Sequence, residues 1–316
     1  MTNSIRSVFI SQSVTTQGAF KPDGGWVILS PLEATIKNKI EAAGTPLKDW
    51  DINIYRGILT GYNDAFIIDQ KTRDSLVEAS PKNAEIIRPI LRGREIHKYW
   101  IEKNDQYLLF VPWHFPLHHN NTIMGVSTDA EEAFKKDYTA VYEHLSQFRD
   151  QLEKRNQAET GIRYEWYALQ RFGSNYWPNF YKPKIIYPEI TKFINFYLDS
   201  KENYFVNNKC FVISGQHLEY LTAFLNSSIF KYCFINNFPE LMGGTRELRK
   251  IFFDLIPVMP INDAINELFK NKVNIIQQMK DQEISTTKQE IEIDQMLFDL
   301  YSLTMEEREV IGFIEI

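Results

Sequence analysis

The spacing of apolar and polar positions changes character along this chain, and each change marks a different kind of structure. Between residue 51 and about residue 260, short β-rich runs (IYRGIL, AFIID, QYLLFVPW, KIIYPEI, FINFYL, CFVIS) alternate with helical stretches, which predicts a mixed α/β region built on short twisted sheets. Past Pro257 and Pro260 only helical spacing remains. Ile261, Ile265, Leu268, Phe269, Ile275, Ile276 and Met279 form one stripe, the STT stretch at 285–287 interrupts it, and Ile291, Met296, Leu297 and Leu300 begin another. The expected class is α+β, with residues 51–260 as the mixed region and 261–316 as a small helical unit. Ahead of both, residues 1–24 are polar and contain glycine, WVILSP follows, and EATIKNKIEAAG reads as a short helix closed by Gly44, so residues 1–50 read as a connector.

Helix boundaries carry their own chemistry. T-D-A-E at Thr128 offers a capping box with Glu131, opening a helix whose apolar positions Phe134, Tyr138, Val141, Tyr142, Leu145, Phe148 and Leu152 share a face. HLEYLTAFLNSSIFKYCF is apolar almost all round and is expected to be a buried helix. T-M-E-E at Thr304 offers a second capping box, with Glu307. The stretch YRGILTGYNDAFIID, residues 55–69, reads as strand, tight turn and strand, with Gly57 and Gly61 supplying backbone freedom or a close approach.

Composition fits a globular protein rich in aromatics: 44% of residues are hydrophobic and 14% aromatic. No apolar run approaches the ~20 residues a membrane span needs, and the N-terminus lacks an apolar core with a cleavage site, so a soluble, cytoplasmic protein with no membrane partner is expected. Cys210 and Cys233 have no metal-ligand spacing and read as reduced core thiols. The net charge of −6 is unevenly placed: residues 281–316 carry ten acids against Lys288 and Arg308. The body is therefore slightly basic and open to an anionic partner.

Catalytic patterns are sparse. There is neither a G-x-G-x-x-G loop nor the D/N/S-P-P-Y/F/W tetrapeptide that an adenine methyltransferase uses on a flipped base. Asp23, Glu33 and Lys37 resemble a nuclease triad only loosely. His114, His118 and His119 lie at metal-ligand spacing, but Pro112 and Pro116 argue for a solvated loop rather than a helix. Binding patterns are richer. KNAEIIRPILRGREIHKYWIEK, residues 82–103, has a balance of +3, and GGTRELRK at 243–250 sets two glycines before Arg246, Arg249 and Lys250. Eight of the twenty residues from 162 to 181 are aromatic, with Arg163, Arg171, Lys182 and Lys184 in and beside the run. Those rings either stack on bases or fill a core; composition allows both.

The blocks IKNKIEAAGTPLKDWDINIYRGILTGYNDAFIID, IIRPILRGREIHKY, WYALQR, YKPKIIYPEI, YFVNNKCFVI, YLTAFLNSSIFKYCF and RELRKIFFDLIPVMPI, in that order, resemble the C-terminal specificity region of TaqI-like adenine DNA methyltransferases, in the branch found in type IIG restriction-modification enzymes. EIDQMLFDLYSLTMEEREVI is similar to the acidic ending of that family. The resemblance implies a target recognition domain that holds duplex DNA against a methyltransferase domain or subunit. It also implies that the catalytic unit and its S-adenosylmethionine lie outside this chain, which itself needs no cofactor or metal and has no catalytic residues.

Under that reading Arg92, Arg94, Lys98, Lys182, Lys184, Arg246 and Arg249 are candidates for phosphate contact. Gln170, Arg171, Ser174 and Asn175 are candidates for base edges, since Arg pairs with guanine and Asn or Gln with adenine in the major groove. Gly57, Thr60, Gly61 and Asn63 form a turn close to DNA or to the region's own sheet. Two alternatives stay open: a specificity subunit of a type I system, for which no duplication is present, and a metal-dependent nuclease or hydrolase using scattered carboxylates and the 114–119 loop.

Overall fold

The structure, a computed structural model, describes residues 31–313; the polar stretch 1–24 with Asp23, the WVILS run and the last three residues lie outside them. The chain enters through α1 (Pro31–Ala43) and β1 (Thr45–Pro46). It then forms β2 (Ile52–Arg56), the one-turn helix α2 (Asn63–Phe66), β3 (Ile67–Asp69), α3 (Gln70–Ala79), β4 (Ile87–Leu91), β5 (Ile96–His97), β6 (Trp100–Ile101) and β7 (Gln106–Leu109). Three helices follow, α4 (Thr128–Asp137), α5 (Thr139–Ser146) and α6 (Arg149–Lys154), and then a long irregular segment. Next come β8 (Lys184–Pro188), β9 (Ile190–Thr191), β10 (Tyr197–Asp199), β11 (Phe205–Val206), β12 (Cys210–Gly215), α7 (Leu218–Leu225) and α8 (Ser228–Phe234). The last elements are β13 (Arg246–Glu247), α9 (Lys250–Phe253), β14 (Pro257–Val258), α10 (Asp263–Asp281), α11 (Thr287–Leu300) and α12 (Met305–Ile311).

The organising element is an antiparallel sheet in the order β10-β8-β12-β2, in which Ile213 stands opposite both Ile54 and Ile185. Both of its faces are covered. Alternate side chains on a strand point to opposite faces, so Ile186, Cys210 and Val212 enter one core while Ile185, Tyr187, Phe211 and Ile213 enter another. This explains why KIIYP and CFVIS read as continuous apolar runs rather than alternating ones. The first core lies under a second four-stranded sheet, β11-β4-β7-β3, and under α4–α6. The second is helical: Ile36 and Ile40 of α1, nearly all of α7, and Phe269, Val273, Ile276, Ile293 and Leu297 of α10 and α11 pack there together. Each of these aliphatic and aromatic side chains is worth about 1.5–3 kcal/mol in transfer from water.

Three local expectations differ from the structure, each for a tertiary reason. Residues 55–69 are not a hairpin: β2 and β3 belong to different sheets, and Asn63–Phe66 coil into a helical turn that buries Ala65 and Phe66. The helix expected over 128–152 breaks into three at Tyr138, with φ −135°, and at Phe148; the Tyr138 ring turns onto Phe115 and its hydroxyl donates to Glu85. Its cap is Ser127, not Thr128. Ser127 Oγ accepts from the Ala130 amide, while Glu131 instead accepts from Tyr142 Oη and Trp166 Nε1. HLEYLTAFLNSSIFKYCF is likewise two helices, the second capped by Ser227. The capping box of Thr304 with Glu307 forms as the sequence implies.

Lys184, a phosphate-contact candidate by its sequence position, is fully buried and cannot reach DNA. Its Nζ lies 2.7 Å from Asp199 Oδ2 and donates to the Phe180 carbonyl at 2.8 Å. Asp199 sits directly across the ladder and also accepts from the amides of Glu202, Asn203 and Tyr204, which turn the chain toward β11. Removing one partner of such a pair leaves a buried, uncompensated charge. Lys184→Met is expected to lower the unfolding free energy by about 3–5 kcal/mol in chemical denaturation. Adding Asp199→Asn should restore part of the loss, because the amide oxygen can still serve the turn.

Candidate nucleic-acid interface

The glycine block is stitched on both sides to its own chain. Gly57 N donates to Cys210 O at 2.9 Å and Ile58 N to Val206 O at 2.8 Å, and a Cβ on Gly57 would lie 2.1 Å from the Asn207 carbonyl oxygen. Leu59 and Arg171 exchange both backbone hydrogen bonds, and Gln170 N donates to Thr60 O. Gly57 therefore serves a close approach of backbone to the β11–β12 connection, and Gly61, at φ +81°, serves the turn. The close approach at Gly57 is thus made to the protein's own backbone. Thr60 is buried and donates to Asn63 Oδ1 at 2.7 Å, so its hydroxyl is not free for a ligand, whereas Asn63 itself is exposed.

This stitching fixes the segment that carries the base-reading candidates. The aromatic run leading into it is mostly core: Tyr164, Tyr167 and Phe180 are fully buried, and Trp166 and Phe172 nearly so. Tyr176 stacks on Tyr55 with ring centroids 4.6 Å apart, and its hydroxyl donates to Arg56 O. Between them Gly173, at φ +76°, accepts from the amides of Tyr176 and Trp177, so Ser174 and Asn175 stand exposed at the tip of a tight turn. Gln170 is half-buried beside Gly61. Arg171 is 51% exposed, but its guanidinium grips both oxygens of Glu159, whose carboxyl is held below its ordinary range by that contact.

The phosphate candidates separate into different places. Arg92 and Arg94 converge on the buried carboxylate of Glu95, at 2.7 Å and 3.2 Å, with Arg94 73% exposed. Arg56 Nη2 reaches Glu189 Oε1 at 2.9 Å, while its Nε donates to Asn208 O, and Lys209, 65% exposed, approaches the same carboxylate at 3.8 Å. The two carboxylates flank one spot, since Gly93 packs on Pro188 and the Cys210 thiol, and burial followed by the charges of Glu95 and Glu189 pushes that thiol far above its ordinary value. Four cations thus surround two acids at the end of the central sheet. Arg246 and Arg249 extend this edge, because β13 pairs with β9 and Leu248 N donates to Glu189 O; they are tied to Glu240 and Glu247.

Lys182 is exposed, with no ion pair among the described residues. Lys98 does not join this surface: its Nζ is 2.5 Å from Glu290 of α11. Sequence reasoning passed over Arg56 and Lys209, although Arg56 stands next to Gly57 and Lys209 ends the N-N-K turn between two strands. It also passed over Arg155, whose guanidinium holds the carbonyls of Thr60, Trp166 and Ala168.

His114, at φ +61°, binds the buried Glu165 through its backbone amide and its ring. Among the described residues no group of three or more His, Cys, Asp or Glu is placed to hold a metal ion, and no helix is long and apolar enough to cross a membrane. Cys210 and Cys233 are free thiols. At the β12–α7 junction Gly215 is required by contact with Asp51 and Ile52, and no second glycine follows, so these residues do not fit a Gly-rich cofactor loop.

Residues 88–258 match the model of the TaqI-like C-terminal specificity domain, more than half of the chain. Among curated proteins, the Type II methyltransferase M.MjaIV of Methanocaldococcus jannaschii is 22% identical over 228 residues, covering 70% of this chain and 69% of its own. Among solved structures, the Type IIL restriction-modification enzyme MmeI in complex with DNA aligns with a TM-score of 0.54 at 11% identity, over 81% of this chain and 33% of that one. The type IIG restriction endonuclease BpuSI aligns with a TM-score of 0.48 at 16% identity, over 86% and 33%. The chain spans about a third of the length of these two solved enzymes.

Gly57→Ala is expected to destabilise by about 1–3 kcal/mol or more, because the added methyl meets rigid backbone rather than a movable side chain. Gly61→Ala adds a left-handed backbone cost of about 1–2 kcal/mol. Denaturant midpoints of the two variants check both. Burial, then the neighbouring His119, holds His118 down at about 4. The unfolded chain, with an ordinary value near ~6.5, takes the proton more readily. The stability this site contributes is therefore full above pH ~6.5 and lost as pH falls toward about 4. Wild-type protein should lose more stability between pH ~7 and ~5 than His118→Phe does, measured by urea unfolding.

Proposed function

The chain belongs to the family of TaqI-like C-terminal specificity domains, and from that premise we propose that it is the DNA sequence-recognition module of an adenine-specific methyltransferase of a type IIG restriction-modification system. It binds duplex DNA and sets the target site; methyl transfer, with S-adenosylmethionine, belongs to a catalytic unit outside these residues. The observation that carries the reading is the cationic edge. Arg56, Arg92, Arg94 and Lys209 outnumber Glu95 and Glu189 two to one in a chain that is acidic overall, and the tyrosine pair of Tyr55 with Tyr176 ties that edge to the Ser174–Asn175 turn. Cations of this kind neutralise phosphates and fix register, while a short exposed polar turn meets base edges. Kinship supports it as well. M.MjaIV is a methyltransferase, and MmeI, a third of which this chain matches in fold, was solved in complex with DNA.

Arg92, Arg94, Arg56, Lys209, Lys182, Arg246 and Arg249 are assigned to phosphate contact. Ser174 and Asn175 are the base readers, with Gln170 behind them. Arg171 reads a base only after exchanging Glu159 for it.

Binding of the 316-residue chain to duplexes selected from a randomised pool tests this. Arg94→Ala and Lys209→Ala should weaken binding to all duplexes alike and reduce the salt slope by about 0.9 for each phosphate no longer neutralised. Asn175→Ala should relax preference at one base pair, at a cost of about 1–3 kcal/mol there, with the salt slope unchanged. Binding insensitive to salt and to both cation substitutions would remove this edge from the interface.

A further inference from the structure

Arg155 lies at the end of α6, in a stretch to which neither the sequence patterns nor the family resemblance gives a role. Its Nη1 donates to the Thr60 carbonyl at 2.7 Å; Nη2 donates to the Trp166 carbonyl at 2.9 Å and also to that of Ala168. The guanidinium lies over the rings of Phe66 and Tyr164, 5.5 Å and 5.6 Å from their centroids. No carboxylate pairs with it among the described residues. A cation held this way costs desolvation that no acid repays. What an apolar side chain cannot supply is a planar fork of donors aimed at carbonyls on two separate pieces of irregular chain.

Those two pieces are the glycine turn and the segment that leads into Gln170, Arg171, Ser174 and Asn175. Gly61 lacks a side chain for this reason as well as for its φ: a Cβ there would lie 2.7 Å from Arg155 Cδ and 2.8 Å from Gln170 Oε1. The same loop grips the segment a second time, four residues on, where Glu159 takes the Arg171 guanidinium and is oriented in turn by Asn156. One short loop thus fixes both ends of the stretch from Trp166 to Arg171.

We propose that Arg155 is a positioning residue for sequence discrimination: it sets the register of the base-reading segment against the glycine turn and does not itself touch DNA. The proposal rests on the chain being a DNA specificity module. Its consequence is a separation of two quantities, since phosphate contacts lie elsewhere and a loosened segment misplaces only the groups that meet base edges.

The test uses the 316-residue chain with Arg155→Lys, which keeps the charge and loses the fork, and with Arg155→Gln, which keeps a smaller planar donor. Duplexes are selected from a randomised pool with wild-type protein, and each variant is titrated with the enriched duplex, with its single-base substitutions and with an unrelated duplex. For Arg155→Lys, affinity for the unrelated duplex and its salt slope should stay within about twofold of wild type, while preference for the enriched duplex falls about tenfold or more. Arg155→Gln should lie between, and both should keep a cooperative melting transition. Full discrimination in both variants overturns the proposal. So does a parallel loss on every duplex, which makes Arg155 a phosphate contact, and so does loss of cooperative melting in both, which makes it a determinant of folding. If wild-type protein enriches no sequence at all, the recognition reading itself fails; enrichment by wild type with unchanged discrimination in the variants refutes Arg155 alone.

Discussion

A fully buried ion pair, Lys184 with Asp199, holds together the parts of this molecule that have least regular structure. Both residues lie on the face of the central sheet that looks into the first core, directly opposite each other on β8 and β10. Lys184 takes the carbonyl of Phe180, the last turn of the aromatic segment, while Asp199 collects the amides of the bend that sends the chain to β11. A sheet covered on both faces gains its stability from apolar burial, yet its ends must still dispose of charge and unpaired backbone. Here one cation and one anion do both. Neutral side chains of similar volume would avoid the desolvation cost, but would leave the exits toward the aromatic segment and toward β11 without anchors.

From that sheet outward, order is carried by hydrogen bonds from side chains to backbone rather than by ladders. The segment 155–183 forms little secondary structure, and its geometry comes from Arg155 on three carbonyls, Glu165 on the 114–127 loop, Trp113 Nε1 on the Leu169 carbonyl and Tyr167 Oη on the Phe115 carbonyl. Loops meet ligands because a scaffold positions them. In this chain the scaffold is partly the aromatic run: rings that composition alone could have placed against bases are instead the floor on which the exposed turn rests.

Where the decisive forces are local, the sequence was legible. Helix α1, the Thr304 capping box and the β-rich runs of β8 and β12 depend on neighbours within a turn or on alternation along a strand, and they stand where the spacing puts them. Tertiary decisions were not legible. Nothing near Lys184 announces Asp199, fifteen residues on, or separates it from exposed Lys182; nothing near Lys98 announces Glu290. Residues 55–69 read as a hairpin because both flanks favour strand, and only pairing with distant chain assigns β2 and β3 to different sheets. The positive edge was half visible. Arg92 and Arg94 stood out as a basic run, whereas Arg56 and Lys209 join them only through Glu189 and the contact of Gly93 with Pro188.

The same edge shows how an acidic protein can present a positive surface without scattering it. Each buried carboxylate there holds its cations by the inner side of the charged group, restricting side chains that would otherwise lose about 2 kcal/mol of rotamer freedom on meeting a ligand. The carboxylates offset part of the positive field of these cations, and dissolved salt screens what remains. The acidic C-terminal helices sit in the second core, with Lys98 drawn back to Glu290. Cations are therefore concentrated on the edge to which the exposed Ser174–Asn175 turn is tied, and the surrounding loop already determines where that turn sits.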